Sequence, residues 1–262
     1  MYRLLFCLPL CLLLAPQSVE APPASEQPLA LPVADAESIP GGDAIDFLQK
    51  CLDHYNQQSI AGYSLIMHKQ ERIGGKLQPS EEIEVSFRAK PYSVFMHWLR
   101  GERLAENVLY VAGMNGGKML VHPAGIAGKL VKVVSRDPEG EDARQSGRYP
   151  VTQLGPNKTL ERTLKDWKAG RNSGTSKIEF LGMRNLREAG DRLCYALRRT
   201  CTPSGTDDPA EITIYIDKET SFQVGTVLKD ADGKLLGEYI YRDVHLNPVF
   251  KPNQFEASAV AP

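Results

Sequence analysis

The sequence predicts a mainly β fold of the α+β class, built on one large antiparallel sheet, and three observations lead there. Apolar residues alternate with polar ones at period two over most of the chain, turns between these runs are short, and few stretches show helical spacing. Short connections in series make antiparallel neighbours, because parallel ones need a long crossover each time. A sheet of about ten strands with so few helices cannot stay flat, since its twist accumulates until it curls or closes.

The elements follow in chain order. Met1-Tyr2-Arg3 precedes an apolar run from Leu4 to Leu14 that is too short to span a bilayer comfortably and follows a positive charge. Residues 1–21 therefore read as a secretory signal peptide, cut after Val19-Glu20-Ala21 unless Pro22 prevents it, in which case the segment anchors the chain. Phe6 and Leu10 stand before Cys7 and Cys11, where a lipidated cysteine needs a small residue, so lipidation is not expected. Residues 22–42, rich in Pro, Ala and Ser, read as a linker, and the folded domain spans 43–256, leaving 257–262 as a tail. Ile45, Leu48, Leu52 and Tyr55 recur at steps of three and four behind Asp43 and Asp46, which marks a helix of about four turns.

Beyond Gly62 the period becomes two. Tyr63, Leu65 and Met67 form one apolar stripe, and Ile83, Val85, Phe87 and Ala89 form another opposite Glu82, Glu84, Ser86 and Arg88. Gly74-Gly75 and Asn115-Gly116-Gly117 mark hairpins, and Lys90-Pro91 ends a strand. Ser93 to Leu99 is apolar on both sides, so both of its faces should be covered. Alternation is lost from Pro123 to Pro150, and a loop of that length is expected to act as a lid, a binding segment or a disordered excursion. A second helix is predicted from a cap at Asn157 to Gly170, with Leu160, Leu164 and Trp167 on one stripe. Five more strands follow: 178–188, 191–200, 211–216, 222–229 and 235–244, the last three joined by turns at Asp217 to Thr220 and Asp230 to Gly233.

Composition excludes several functions. The 32 acidic and 31 basic residues nearly cancel and form no like-charged block, so a nucleic-acid partner is not expected. Export removes routine access to ATP, NADH or a reducing thiol pool, which points away from metabolic enzymes. Cys51, Cys194 and Cys201 would remain after processing, giving either three thiols or one bridge. A Cys194–Cys201 bridge needs the chain to turn back near Arg198 to Thr200, because a continuous strand would hold them roughly 20 Å apart.

His54, His68, His97, His122 and His245 show no ligand spacing, so no metal is expected. No Gly-x-Ser-x-Gly elbow occurs, and Glu81-Glu82 and Asp207-Asp208 read as solvated turns or wet strand faces. Asp230-Ala231-Asp232-Gly233 lacks the later acidic ligand of a calcium loop, and Gly116-Gly117-Lys118 lacks phosphate-loop spacing. Neither catalysis nor a cofactor is expected.

Two resemblances sharpen this. The run Ile214 to Thr220, followed by Asp230 to Gly233, Tyr239 to Pro248 and Phe255-Glu256, resembles the closing half of outer-membrane lipoprotein carriers of the LolA type. Lys69-Gln70-Glu71-Arg72, Gly75-Lys76-Leu77, Lys90-Pro91, Lys118 to Pro123 and Arg148-Tyr149-Pro150 resemble a more specific group, the envelope family DUF1571. Together they run from about Asp43 to Phe255. They imply a strongly curved antiparallel half-barrel with helices on its concave side and a hydrophobic cavity between. The chain after Phe255 is short, so the longer C-terminal element with which some carriers engage a membrane partner is not expected.

On this basis the expectation is an exported, monomeric protein of the periplasm or cell envelope, soluble after processing, that binds a lipid, an acyl chain or a lipidated ligand. The alternatives are an envelope sensor that docks a partner protein, and an envelope hydrolase in which His122 faces a carboxylate and a nucleophile. Val94, Met96, Trp98, Leu109, Val111, Leu160, Leu164 and Trp167 are the candidate cavity lining. His122, Arg136 and Arg148 are the candidate mouth residues; Arg136, Arg144 and Arg148 could meet an anionic head group, with Glu139, Glu141 and Asp142 partly neutralising them.

Overall fold

The structure, a computed structural model, describes residues 31–32, 38–102, 104–205 and 207–261. The signal peptide expected over residues 1–21, and residues 22–30 and 33–37 of the expected linker, lie outside that set.

Thirteen strands form one antiparallel sheet among the described residues. They are β1 (Leu31–Pro32), β2 (Gly62–Ile73), β3 (Lys76–Leu77), β4 (Glu81–Arg88), β5 (Ser93–Arg100), β6 (Ala105–Val111), β7 (Met119–Pro123), β8 (Val134–Arg136), β9 (Ser176–Leu186), β10 (Arg192–Cys201), β11 (Glu211–Asp217), β12 (Gln223–Lys229) and β13 (Leu235–Leu246). Four α-helices accompany them: α1 (Ala44–Gln57), α2 (Gly125–Leu130), α3 (Glu141–Ser146) and α4 (Pro156–Asn172).

The spatial order is β1-β9-β10-β11-β12-β13-β2-β4-β5-β6-β7-β8, with β3 hairpinned onto β2. The chain thus makes two antiparallel meanders, β2 to β8 and β9 to β13, sewn together where β13 pairs β2 from Gly237↔Glu71 to Leu246↔Tyr63. The sheet is curved and unclosed, as the accumulated twist of so many strands requires.

Asp43 caps α1, its Oδ1 accepting the backbone N–H groups of Ile45 and Asp46, each at 2.9 Å. Its other partner is the guanidinium of Arg171, 2.8 Å away in the last turn of α4, where the helix dipole favours a cation. The Asp46 N–H bond, followed by the Arg171 contacts, holds the Asp43 carboxyl below its ordinary range against a partial burial penalty.

The second helix begins earlier than its sequence signal. Gly155 occupies the cap with φ +113°, a value that a side chain resists, and Pro156 takes the first helical position, where its missing N–H costs nothing. Asn157 therefore lies inside the first turn, and α4 runs to Asn172.

The long loop of 123–150 is not featureless. It holds α2, the short strand β8 pairing β7 from Met119↔Arg136 to Val121↔Val134, and α3. At the other end of the chain, the residues read as a tail are part of the fold. Val260 is buried with Leu109, Val111 and Leu120, flanked by Phe95 and Phe255, and its carbonyl accepts a 2.9 Å bond from Asn107 Nδ2. This segment covers one face of β5 at Phe95, while Leu99 at the strand's far end stays exposed.

All three cysteines in the described residues are free thiols. Cys194 and Cys201 sit near opposite ends of the continuous strand β10, so the turn that a bridge would need is not made.

Candidate functional site

The sheet's interior is divided into a solid half and a hollow half. Over β10 and β11, α1 and α4 fill the space: Phe47, Leu48, Leu160, Leu164 and Trp167 pack with Leu197, Ile214 and Ile216. Over β2 to β7 the interior holds a cavity of about 420 Å³, within the span of about 300–1,000 Å³ usual for small-molecule sites. The segment 134–154 roofs it, contributing Pro138, Ala143, Tyr149, Val151 and Leu154. The first turns of α4 form the partition, with Thr159 and Arg162 facing the hollow side while Leu160 and Leu164 join the packed side.

Strand alternation makes the apolar wall. Met67 on β2, Met96 and Trp98 on β5, Val108 on β6 and Met119 and Val121 on β7 all line the cavity. The two methionine thioethers of the central strands give a deformable surface.

One end of the wall is ionic. Lys69 and Glu71 continue the inward stripe of Tyr63, Leu65 and Met67, and Glu81 lies opposite Lys69 in the register of β2 with β4. Lys69 Nζ is 2.8 Å from Glu81 Oε2 and 3.5 Å from Glu71 Oε2. Glu71 is only 3% exposed; its Oε1 accepts the Tyr239 hydroxyl and, at 3.1 Å, the Arg148 backbone N–H, while its Oε2 accepts no hydrogen bond. Burial, together with the neighbouring Glu71 charge, pushes the Tyr239 phenol well above its ordinary range and keeps it a donor. Trp98 Nε1 is a second buried polar atom of the lining without a partner.

The acid pair Glu81-Glu82, expected to be solvated, is divided by the pleat. Glu81 points inward and is 7% exposed, whereas Glu82 meets Arg100 at 2.9 Å on the other face.

The eleven residues singled out by sequence fall in different places. Met96, Trp98 and Arg136 line the cavity. Val94 lies beside it in the packed cluster of Tyr63, Val85 and Phe87. Leu109 and Val111 face the C-terminal segment on the opposite side of the sheet, and Leu160, Leu164 and Trp167 belong to the solid half. His122 is held by the Lys132 carbonyl at 2.6 Å from Nδ1 and by Glu106 at 3.4 Å from Nε2. Arg148 turns its guanidinium to Asp207, and Arg136 is paired with Asp142 at 2.9 Å, so both mouth arginines already hold an anion.

Lys69, Glu71 and Tyr239 do not figure among those eleven. Lys69 and Glu71 carry a faint signal, a charged pair continuing an apolar period-two stripe, which only the register with neighbouring strands turns into an interior position. Among the described residues, no cluster of three or more His, Cys, Asp or Glu side chains is arranged to hold a metal, and no helix is long and apolar enough to cross a membrane.

The fold and its lined hollow define a curved, open-sheet protein with an internal cavity. The chain belongs to the family described as "Protein of unknown function (DUF1571)", which it matches over residues 60–260. No curated protein matches it. Among solved structures it is similar to a chain of the Pseudomonas aeruginosa MucA/MucB complex, at 16% identity and a TM-score of 0.47, covering 84% of this chain and 62% of that one. The chain thus spans less than two thirds of that protein. It is also similar to a putative outer membrane lipoprotein-sorting protein domain from Vibrio parahaemolyticus, at 8% identity and a TM-score of 0.37, covering 82% and 97%. A third similarity is to the lipoprotein LppX of Mycobacterium tuberculosis, at 12% identity and a TM-score of 0.40, covering 79% and 96%.

Proposed function

We propose that this is an exported cell-envelope protein that holds a hydrophobic or lipidated ligand in the cavity over β2 to β7, without transforming it. The supporting observation is a 420 Å³ hollow whose walls are thioether, indole and aliphatic carbon, beside a half of the same fold that is packed solid. Covering hydrocarbon is worth about 0.8 kcal/mol per methylene, so ten methylenes supply about 8 kcal/mol before ordering costs. Met96 and Trp98 are the proposed contacts of the chain, and residues 1–21 the proposed export signal. Organic extraction of the protein purified from a bacterial envelope, followed by mass spectrometry, tests this: a stoichiometric lipid supports it, and ligand-free protein that also refuses added alkyl chains contradicts it.

A second reading, an envelope protein that docks a partner, has one observation in its favour. Ile126 and Leu130 are 77% and 80% exposed at i, i+4 on α2, and Val131 and Val133 beside them are exposed as well. Large apolar side chains gathered so exposed within eight residues suit a surface that meets a partner. Replacing Ile126 and Leu130 by Ser should leave ligand binding intact and abolish any partner complex; if it instead removes ligand binding alone, docking is not the role of this surface.

A further inference from the structure

We propose, on the basis of the cavity reading above, that the bound amphiphile carries a protonated amine, which sits at the ionic end of the cavity against Glu71 Oε2. Charge in the lining is matched in some places and unmatched in others. Arg136 and Asp142 neutralise one another at 2.9 Å. Arg162, the remaining guanidinium of the lining, lies 3.9 Å over the Tyr149 ring, which packs in turn on Tyr239. At the far side of those rings, Glu71 and Glu81 share the single ammonium of Lys69, which leans towards Glu81 at 2.8 Å and stands off from Glu71 at 3.5 Å.

Over the whole lining three cations match three carboxylates, but at this end of the cavity two carboxylates share one ammonium where little water reaches. Glu71 is 3% exposed, and its Oε2 accepts no hydrogen bond, with Lys69 standing 3.5 Å away. With only that long ion pair to offset its lost solvation, the oxygen favours an arriving N–H and repels an anion. A charge-assisted bond from an ammonium group answers both the missing donor and the surplus charge.

The space at that oxygen is also limited. A Cβ at Gly147, in the roof, would come within 3.3 Å of Glu71 Oε2 and 3.7 Å of Lys69 Nζ. The Gly147 backbone already lies close to that oxygen, so a compact head group such as a primary ammonium suits the space better than a branched phosphate.

The test compares three probes of one chain length, tetradecylamine, tetradecanoic acid and 1-tetradecanol, by isothermal titration of the full chain at neutral pH below micellar concentration. Wild-type protein should bind the amine at least about tenfold more tightly than the alcohol, and the acid most weakly. Glu71→Gln should bring the amine to the level at which the same variant binds the alcohol. An acid or alcohol that binds wild-type protein as well as the amine overturns the proposal, and so does a Glu71→Gln protein that keeps the preference for the amine. The alcohol separates the two levels of the account: if it binds while the amine shows no advantage, the cavity reading stands and the head-group proposal fails; if none of the three binds, both fail.

Discussion

Tyr239 on β13 reaches across the seam between the two meanders and donates its hydroxyl to Glu71 on β2, leaning over a residue that has no side chain. Glu71 is registered opposite Gly237, and Tyr239 opposite Lys69, so the contact is a diagonal one. A Cβ at Gly237 would lie 3.2 Å from both Cε2 and the hydroxyl of Tyr239, which makes glycine the residue that lets the ring lie flat. Tyr239→Phe should then cost about 1–3 kcal/mol by urea denaturation, because Glu71 Oε1 keeps only the Arg148 N–H. Gly237→Val should cost at least as much by displacing the same ring; a Tyr239→Phe protein as stable as wild type would show that the hydroxyl contributes nothing.

Asp217, at the end of β11, is 1% exposed and takes two bonds from Arg192, one at 2.5 Å from Nε and one at 3.0 Å from Nη2. It also closes the following turn by accepting from the N–H groups of Glu219 and Thr220 and from the Thr220 hydroxyl. Burial alone would raise this carboxyl, but Arg192 and Thr220 outweigh it and the net shift is downward. The stability it contributes is therefore present above the ordinary carboxyl value of 3.8 and lost as pH falls through the lower folded value. Asp217→Asn should cost about 3 kcal/mol at neutral pH and flatten the acid limb of the stability curve; an unchanged acid limb would refute this role.

At alkaline pH the sign reverses. Burial raises the thiols of Cys51 and Cys194 from 9.0 to about 12, and the phenols of Tyr55 and Tyr215 from 10.0 to about 12. Above pH 9 the unfolded chain gives up protons that the native protein keeps, so stability falls with rising pH. Equilibrium denaturation should show a plateau around neutrality and a decline from about pH 9 upward, and a curve still flat at pH 11 would contradict the burial of these groups.

The two tryptophans provide a built-in comparison. Trp98 lines the cavity, whereas Trp167 is 1% exposed in the solid half. Adding an alkyl ligand to Trp167→Phe protein should shift and sharpen the remaining emission as water leaves the indole. The same titration of Trp98→Phe should be silent. A response carried by Trp167 would place the ligand elsewhere.

Most of the fold was legible because its signals are local. Period two in Tyr63, Leu65 and Met67 states which face of β2 is inward, and Asp43 ahead of Ile45 and Leu48 states where α1 starts. Asn157 misled because capping preference is weaker than the conformational bias of Gly155-Pro156 two residues earlier.

The cavity lining was less legible, since periodicity says that a residue is inward but not what lies opposite. Leu160 and Met96 carry the same apolar signal, yet one meets α1 and β11 while the other meets a hollow. Leu109 shares the signal too, and it is spent on Val260, some 150 positions later in the chain. Glu71 and Glu81 were hidden for a further reason: a charged residue in a strand reads as solvated until its register with Lys69 and Tyr239 is known.

If the hollow over β2 to β7 takes up an apolar chain, a side chain that fills it must abolish uptake. Val121 lines the cavity from β7. In native mass spectrometry with 1-tetradecanol, wild-type protein should carry one bound molecule, and a folded Val121→Trp protein should carry none, because the indole fills the space. Equal uptake by the two proteins, or no uptake by wild type, would contradict the account.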